Sequence, residues 1–133
     1  NVRSLKKLDG LYGSVLTDMP LGVLALSAYV KEYTNAEVEL IDFNAVLNRL
    51  ESFPHSSFYE FFDSYISNQS WVDYNPTIIG ISTLFVTSYQ NMIDIAESCR
   101  KLFPEALIVG GGGIPTNMYE KIFPWIHRNL PQL

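Results

Sequence analysis

Thr77-Ile78-Ile79-Gly80-Ile81-Ser82-Thr83-Leu84 and Ala106-Leu107-Ile108-Val109-Gly110-Gly111-Gly112-Gly113-Ile114-Pro115-Thr116 are the two runs that decide the fold. Each is a short apolar stretch that stops at small polar or glycine residues, as a buried strand does where it enters a turn. Between them, residues 88–103 put Tyr89, Met92, Ile93, Ala96, Cys99 and Phe103 on one helical face, with Asp94, Glu97, Arg100 and Lys101 largely opposite. Pro104 stops that helix, because proline has no N–H to continue it. Strand, crossover helix and strand predict a βαβ unit. In open parallel sheets ligands sit outside the carboxyl ends of the strands, so the Ser82-Thr83-Leu84 turn and the glycine turn are expected to line one mouth.

Composition bounds what that mouth can serve. A chain of 133 residues, 47% of them hydrophobic, suffices for a single domain with one core. Fourteen acidic residues against nine basic ones give a net charge of -5, and Lys and Arg form no cluster, which argues against a nucleic-acid groove. No apolar run approaches the roughly 18 residues of a bilayer span, and no charged-then-apolar leader is seen. A soluble, cytoplasmic domain with neither a nucleic acid nor a membrane as partner is therefore expected. The single cysteine, Cys99, excludes an internal disulfide and any zinc or iron–sulfur site built from cysteines of these residues alone. Its place on an apolar helix face predicts a packed thiol.

Outward from the two runs the signals vary in strength. Arg3, Lys6 and Lys7 read as solvated surface, Gly10 and Gly13 as loop, and residues 14–16 as a short strand. A helix is predicted from Thr17-Asp18-Met19-Pro20 to about Tyr33, with Thr or Asp as cap and Pro20 in the first turn. Its apolar residues run round most of the circumference, which predicts a helix wedged between a sheet and another layer. Asn35 in a left-handed conformation would end it. Residues 37–42 read as a strand, with Asp42 at its carboxyl end either touching a ligand or bonding the next backbone N–H groups. Residues 43–75 predict one helix around Val46, Leu47 and Leu50, and a second around Phe58, Phe61, Phe62, Tyr65 and Ile66. Aromatics at that spacing are core rather than a platform for bases. His55, in the polar loop between the two helices, is expected to be exposed. After the glycines, Thr116 can cap a last helix that Pro124 cuts short, leaving the residues beyond it irregular.

The glycine run fits neither common nucleotide loop. Gly110, Gly111, Gly112 and Gly113 followed by Ile114-Pro115 lack the Gly-x-Gly-x-x-Gly spacing, and Pro115 removes a donor from the turn that would cradle pyrophosphate. The Gly-Lys-Ser/Thr of a phosphate loop is absent as well. Bare backbone can lie against a bulky ligand, and four glycines in succession exceed what a tight turn alone requires. Nucleophilic catalysis finds no partners: Gly80-Ile81-Ser82-Thr83-Leu84 is not a Gly-x-Ser-x-Gly elbow, and neither His55 nor His127 has an evident acid. No metal-ligand spacing surrounds either histidine. No catalytic residue and no metal ligand is assigned, and the domain alone is expected to break no bonds.

In order along the chain, Pro20-Leu21-Gly22-Val23-Leu24-Ala25-Leu26-Ser27-Ala28-Tyr29, Val38-Glu39-Leu40-Ile41-Asp42, Ile79-Gly80-Ile81-Ser82, and Val109-Gly110-Gly111-Gly112 with Pro115-Thr116 resemble one family. It is the cobalamin (vitamin B12)-binding domain that precedes the catalytic barrel in many radical S-adenosylmethionine enzymes, and the likeness spans residues 18–123. The resemblance implies an α/β, flavodoxin-like (Rossmann-like) three-layer sandwich with a parallel sheet. The first strand is ill-defined in the sequence, and the fifth is not visible before Leu133. It further implies cobalamin laid across the carboxyl ends of the strands. Ser82, Thr83 and Leu84, with Gly110, Gly111, Gly112, Gly113, Pro115 and Thr116, would accommodate its nucleotide tail, and Met19, Leu21 and Gly22 would lie near the lower face of the corrin.

Two departures from the family pattern shape the expectation. Where classical cobalamin domains carry Asp-x-His-x-x-Gly, this chain reads Asp18-Met19-Pro20-Leu21-Gly22, a departure shared by much of the radical branch, so cobalt would lack a histidine ligand from that position. The cysteine triad of a 4Fe-4S cluster is also absent, so the cluster and S-adenosylmethionine would belong to a catalytic barrel elsewhere in a longer parent enzyme. The expected partners are therefore cobalamin, that barrel and, through an exposed sheet edge, a second copy. A cofactor-free flavodoxin-like domain that docks the barrel is the alternative.

Overall fold

Residues 78–111 fold as parallel strand, helix and parallel strand. A computed structural model of the chain describes residues 19–131 and 133. The expected strand at 14–16, the capping residues Thr17 and Asp18 and the patch of Arg3, Lys6 and Lys7 lie outside them. In chain order the elements are α1 (Leu21–Tyr33), α2 (Phe43–Asn48), α3 (Phe58–Ile66), α4 (Gln69–Tyr74), β1 (Ile78–Ser82), α5 (Tyr89–Leu102), β2 (Leu107–Gly111) and α6 (Gly113–Asn129), with a 3-10 turn at Val86–Ser88. The class is mixed α/β, a parallel sheet with helices packed on it, consistent with a flavodoxin-like fold. Two compact units divide the chain, Asn1–Pro54 and His55–Leu133, and each is described by itself.

In the first unit, α1 begins at Leu21 after Pro20, which supplies no side-chain cap. Leu21, Leu26, Tyr29 and Tyr33 are exposed while Ser27 is buried. The end of the helix differs from expectation. Thr34, not a left-handed Asn35, closes the helix, because its hydroxyl donates to the Val30 carbonyl at 2.7 Å and accepts from the Ala36 amide at 3.1 Å. The expected strand at 37–42 is absent, since the apolar residues there gain no ladder partner among the described strands. Asp42 instead caps α2 by accepting from the amides of Asn44 at 2.9 Å and Ala45 at 3.3 Å, the local role anticipated as the simpler of its two.

The second unit is built on β1 and β2, which pair in parallel from Ile78 opposite Leu107 to Ser82 opposite Gly111. Alternation along the strands gives the sheet two unlike faces. Ile79, Ile81 and Ile108 face a core of Met92, Ile93 and Ala96, with Tyr89, Ile126 and Leu130 packed round it. Ile78, Leu107 and Val109 are exposed. Helix α5 therefore crosses with its apolar stripe on the sheet, and its other buried residues meet α3. Phe61, Phe62 and Ile66 of α3 are buried, each contributing on the order of 2 kcal/mol by removal from water. Ser98 of α5, wholly buried, donates to Asp63 of α3 at 2.8 Å, and Lys101 adds an ion pair to the same carboxylate at 3.1 Å.

Four further expectations are corrected here. A short helix, α4, follows α3 and ends at Asn75 in the left-handed region, φ 46. His55 is half-buried with its ring edge-on to Phe61 at 5.6 Å, since the apolar ring face finds a partner even in a polar loop. Thr116 caps nothing: the last helix already starts at Gly113, and the Thr116 amide donates to the carbonyl of Gly112 inside the first turn. Pro124 does not end α6, which runs on through Trp125 to Asn129. Ile126 and Leu130 are held against the core and Trp125 stands edge-on to Tyr89 at 6.4 Å, contacts that offset the lost backbone bond.

Candidate functional site

Backbone geometry at the carboxyl end of the sheet follows from where the four glycines fall. Gly110 and Gly111 complete β2, Gly112 is the turn, and Gly113 opens α6. The Thr83 amide donates to the Gly111 carbonyl at 2.9 Å and the Ile114 amide to the Thr83 carbonyl at 3.3 Å. The turns after β1 and β2 are thereby stitched together by Thr83, itself buried. Gly112 takes φ +91, and a Cβ on it would lie 2.5 Å from the Thr83 carbonyl oxygen. On Gly113 a Cβ would lie 3.1 Å from the carbonyl oxygen of Leu84. Gly112 thus requires a bare backbone for the two turns to meet, and a side chain at Gly113 would make the Leu84 carbonyl give way by a few tenths of an ångström.

The other two glycines behave differently. A Cβ on Gly110 would make ordinary contact with the Pro115 ring at 3.6 Å and the Met92 sulfur at 3.8 Å, on the packed side of the sheet. One on Gly111 would meet nothing within 4 Å. Gly111 lies opposite Ser82 in the ladder, and Ser82 is exposed. Pro115 fits the first turn of α6, where its missing donor costs no helical bond. Asn117 donates from its side-chain amide to the Gly113 carbonyl at 2.7 Å, holding the start of that helix.

Of the residues singled out in the sequence, the structure brings Ser82, Thr83 and Leu84 together with Gly110, Gly111, Gly112, Gly113 and the Pro115-Thr116 turn at one end of the sheet. Met19, Leu21 and Gly22 stand at the opening of α1 in the first unit, all exposed, and a Cβ on Gly22 would meet nothing within 4 Å. Phe85 and Val86 were not singled out. Together with Leu84 they form a lip of three consecutive large apolar residues, 68%, 65% and 68% exposed in chain order. The signal was present: an apolar triplet between a strand end and a helix start is too hydrophobic for an ordinary turn.

Chemically the mouth is uncharged, since residues 78–93 and 106–119 contain no Asp, Glu, Lys or Arg. It offers the exposed Ser82 side chain, backbone amides, the open surface over Gly111 and the apolar lip. Such a set holds a ligand by shape and hydrogen bonds to neutral groups rather than by ion pairing. Among the described residues no group of three or more His, Cys, Asp or Glu could hold a metal ion. Nor is any helix among them long and apolar enough to cross a membrane. Burial raises the Tyr89 phenol and pushes the Cys99 thiol up to about 11, so neither serves as a base near neutrality.

A family model described as B12 binding domain matches residues 13–127. No curated protein and no solved structure matches the chain.

Proposed function

The chain belongs to the B12-binding domain family, and on that premise we propose that the carboxyl end of the β1–β2 sheet receives the nucleotide tail of cobalamin. The domain would serve as the cofactor-carrying part of a radical S-adenosylmethionine enzyme, such as a methyltransferase. One observation carries the binding reading: at the strand ends Gly111 leaves open space beside exposed Ser82 and Leu84 in a wall without charge. Those features suit a bulky tail that must approach the backbone closely. Ser82 would hydrogen-bond it, Gly111 would admit it, and Leu84 would cover its apolar part.

Bound cobalamin supplies a cobalt centre that carries an alkyl group, and the chain's own task is to hold and orient that cofactor. Residues 19–22 include no histidine, so no imidazole from that stretch would ligate the metal. Radical chemistry would reside in a barrel holding a 4Fe-4S cluster and S-adenosylmethionine. Support for that parent is the order of the four motifs along the chain, and its check is a Cys-x-x-x-Cys-x-x-Cys triad in the roughly two hundred residues after this domain, about one further domain's length.

Titration of the full-length protein with hydroxocobalamin, followed by absorbance after desalting, tests the binding. Retained cobalamin in about equimolar amount is expected. A full-length protein that retains none would sink the binding reading, and stable docking of this domain on the barrel within it would then favour the rival reading of a cofactor-free docking module.

A further inference from the structure

Four glycines in succession invite one explanation for all of them, but the surroundings of each differ. Gly110 faces the packed side, where Pro115 and Met92 already fill the space beyond it. Gly111 faces open space. Gly112 and Gly113 are pressed against the main chain of the other turn, at Thr83 and Leu84 respectively. Their lack of a side chain is therefore explained by turn meeting turn, with no ligand involved.

We propose that Gly112 and Gly113 are positioning residues, setting the Ser82-Thr83-Leu84 turn at the height the cofactor's tail requires, while Gly111 is the glycine whose open face the tail covers. This rests on the cobalamin reading above. The mechanical link is short. Thr83 is fastened on both sides, its amide to Gly111 and its carbonyl to Ile114, so whatever pushes its carbonyl away moves Ser82 and Leu84 with it. A methyl on Gly112 meets that carbonyl oxygen at 2.5 Å and must displace it. A methyl on Gly113 meets the Leu84 carbonyl oxygen at 3.1 Å and displaces it less. Neither glycine need touch the cofactor for binding to suffer. Gly111 has the opposite character: a methyl there disturbs nothing in the protein and fills the space the tail would use.

The test compares Gly111→Ala, Gly112→Ala and Gly113→Ala in the full-length protein. Hydroxocobalamin affinity is measured at a temperature where circular dichroism shows each variant fully folded, and exchange of the two hydrogen-bonded amides of the seam, Thr83 and Ile114, is followed without cofactor. Gly113→Ala is expected to weaken binding roughly tenfold, a misplacement effect, and to speed exchange at Thr83 and Ile114. Gly111→Ala is expected to weaken binding as much while leaving that exchange at the wild-type rate. Gly112→Ala shares the Gly113→Ala pattern in stronger form; should it fail to fold, Gly113→Ala carries the test. A purely structural role would lower the melting temperature but leave the affinity of the folded variants unchanged, and that result overturns the positioning role. Wild-type affinity in Gly111→Ala overturns the contact. If the wild-type protein itself takes up no cobalamin, this proposal and the reading beneath it both fall, whereas binding that none of the three variants alters overturns this proposal alone.

Discussion

Ser98 gives its hydroxyl hydrogen to Asp63 at 2.8 Å, joining α5 to α3 across 35 positions of sequence in a place where Ser98 itself has no exposed surface. Lys101, one helical turn further on, reaches the same carboxylate from a mostly exposed position. One acid thus carries a buried hydrogen bond and a solvated ion pair, and the two differ in worth.

Asp63→Ala should cost most, about 1–3 kcal/mol, because it leaves the Ser98 hydroxyl buried without its acceptor. Ser98→Ala should cost about 1 kcal/mol, and Lys101→Ala the least of the three, as for exposed pairs generally. Urea denaturation ranks the three. Lys101→Ala costing as much as Asp63→Ala would show that the ion pair, not the buried bond, joins the helices.

Cys99 lies on the inner face of α5, and burial pushes its thiol from an ordinary 9.0 up to about 11. Between those values the unfolded chain has lost the proton and the folded one keeps it. Stability from this group is therefore complete below pH 9 and falls as pH rises toward 11. At pH 8 a thiol-alkylating reagent should label the native protein far more slowly than the urea-unfolded chain, which mass spectrometry can follow. Equal rates would place Cys99 in an open position.

Glu60, in the first turn of α3, accepts from the hydroxyl and the amide of Ser56, and those bonds hold its carboxyl below the usual 4.5. His55 lies 4.0 Å away and acts in the same direction. The sign is that of a depressed acid: the contribution is present above pH 4.5 and lost as pH falls through the lower folded value. Glu60→Gln should flatten this limb of the stability–pH curve and lower stability at pH 7 only slightly, as for exposed helix-end charges. An unaltered acid limb would remove Glu60 from the account.

Pro124 sits inside α6 and can make no backbone bond to the turn before it. Pro124→Ala should restore one and raise stability by about 1–3 kcal/mol, read as a higher melting temperature. A lower melting temperature would mean that Trp125 and Ile126 depend on the proline for their placement.

How much of this was legible beforehand depended on whether a residue answers to its neighbours in sequence or to those in space. The βαβ unit was readable because Ile79, Ile81, Met92, Ile93 and Ala96 repeat at strand and helix periods that only a shared core explains. Asp42 was readable as a local cap. Residues 37–42 carry the same apolar pattern as a strand but form none, since strandhood requires a partner that no periodicity supplies. Pro124 misled because the contacts of Ile126 and Leu130 lie with the core and not in the helix's own sequence. The glycine run was legible as a turn but not in its parts. Glycine suits strand, turn and helix start alike, and only the approach of Thr83 and Leu84 separates the roles of Gly112 and Gly113 from that of Gly111.

Among the described residues β1 has β2 as its one hydrogen-bonded neighbour, and the two are separated by the whole of α5. During synthesis, Ile78, Ile79 and Ile81 therefore leave the ribosome well before Leu107, Ile108 and Val109 exist to pair with them. At about 5–20 residues per second this interval lasts seconds, ample time for a bare apolar strand to meet another chain. While residues 83–106 are being made, β1 of the nascent protein is thus open to pairing with another chain. Stalling of translation within that window would lengthen the exposure of β1, and capture by a chaperone would shield it.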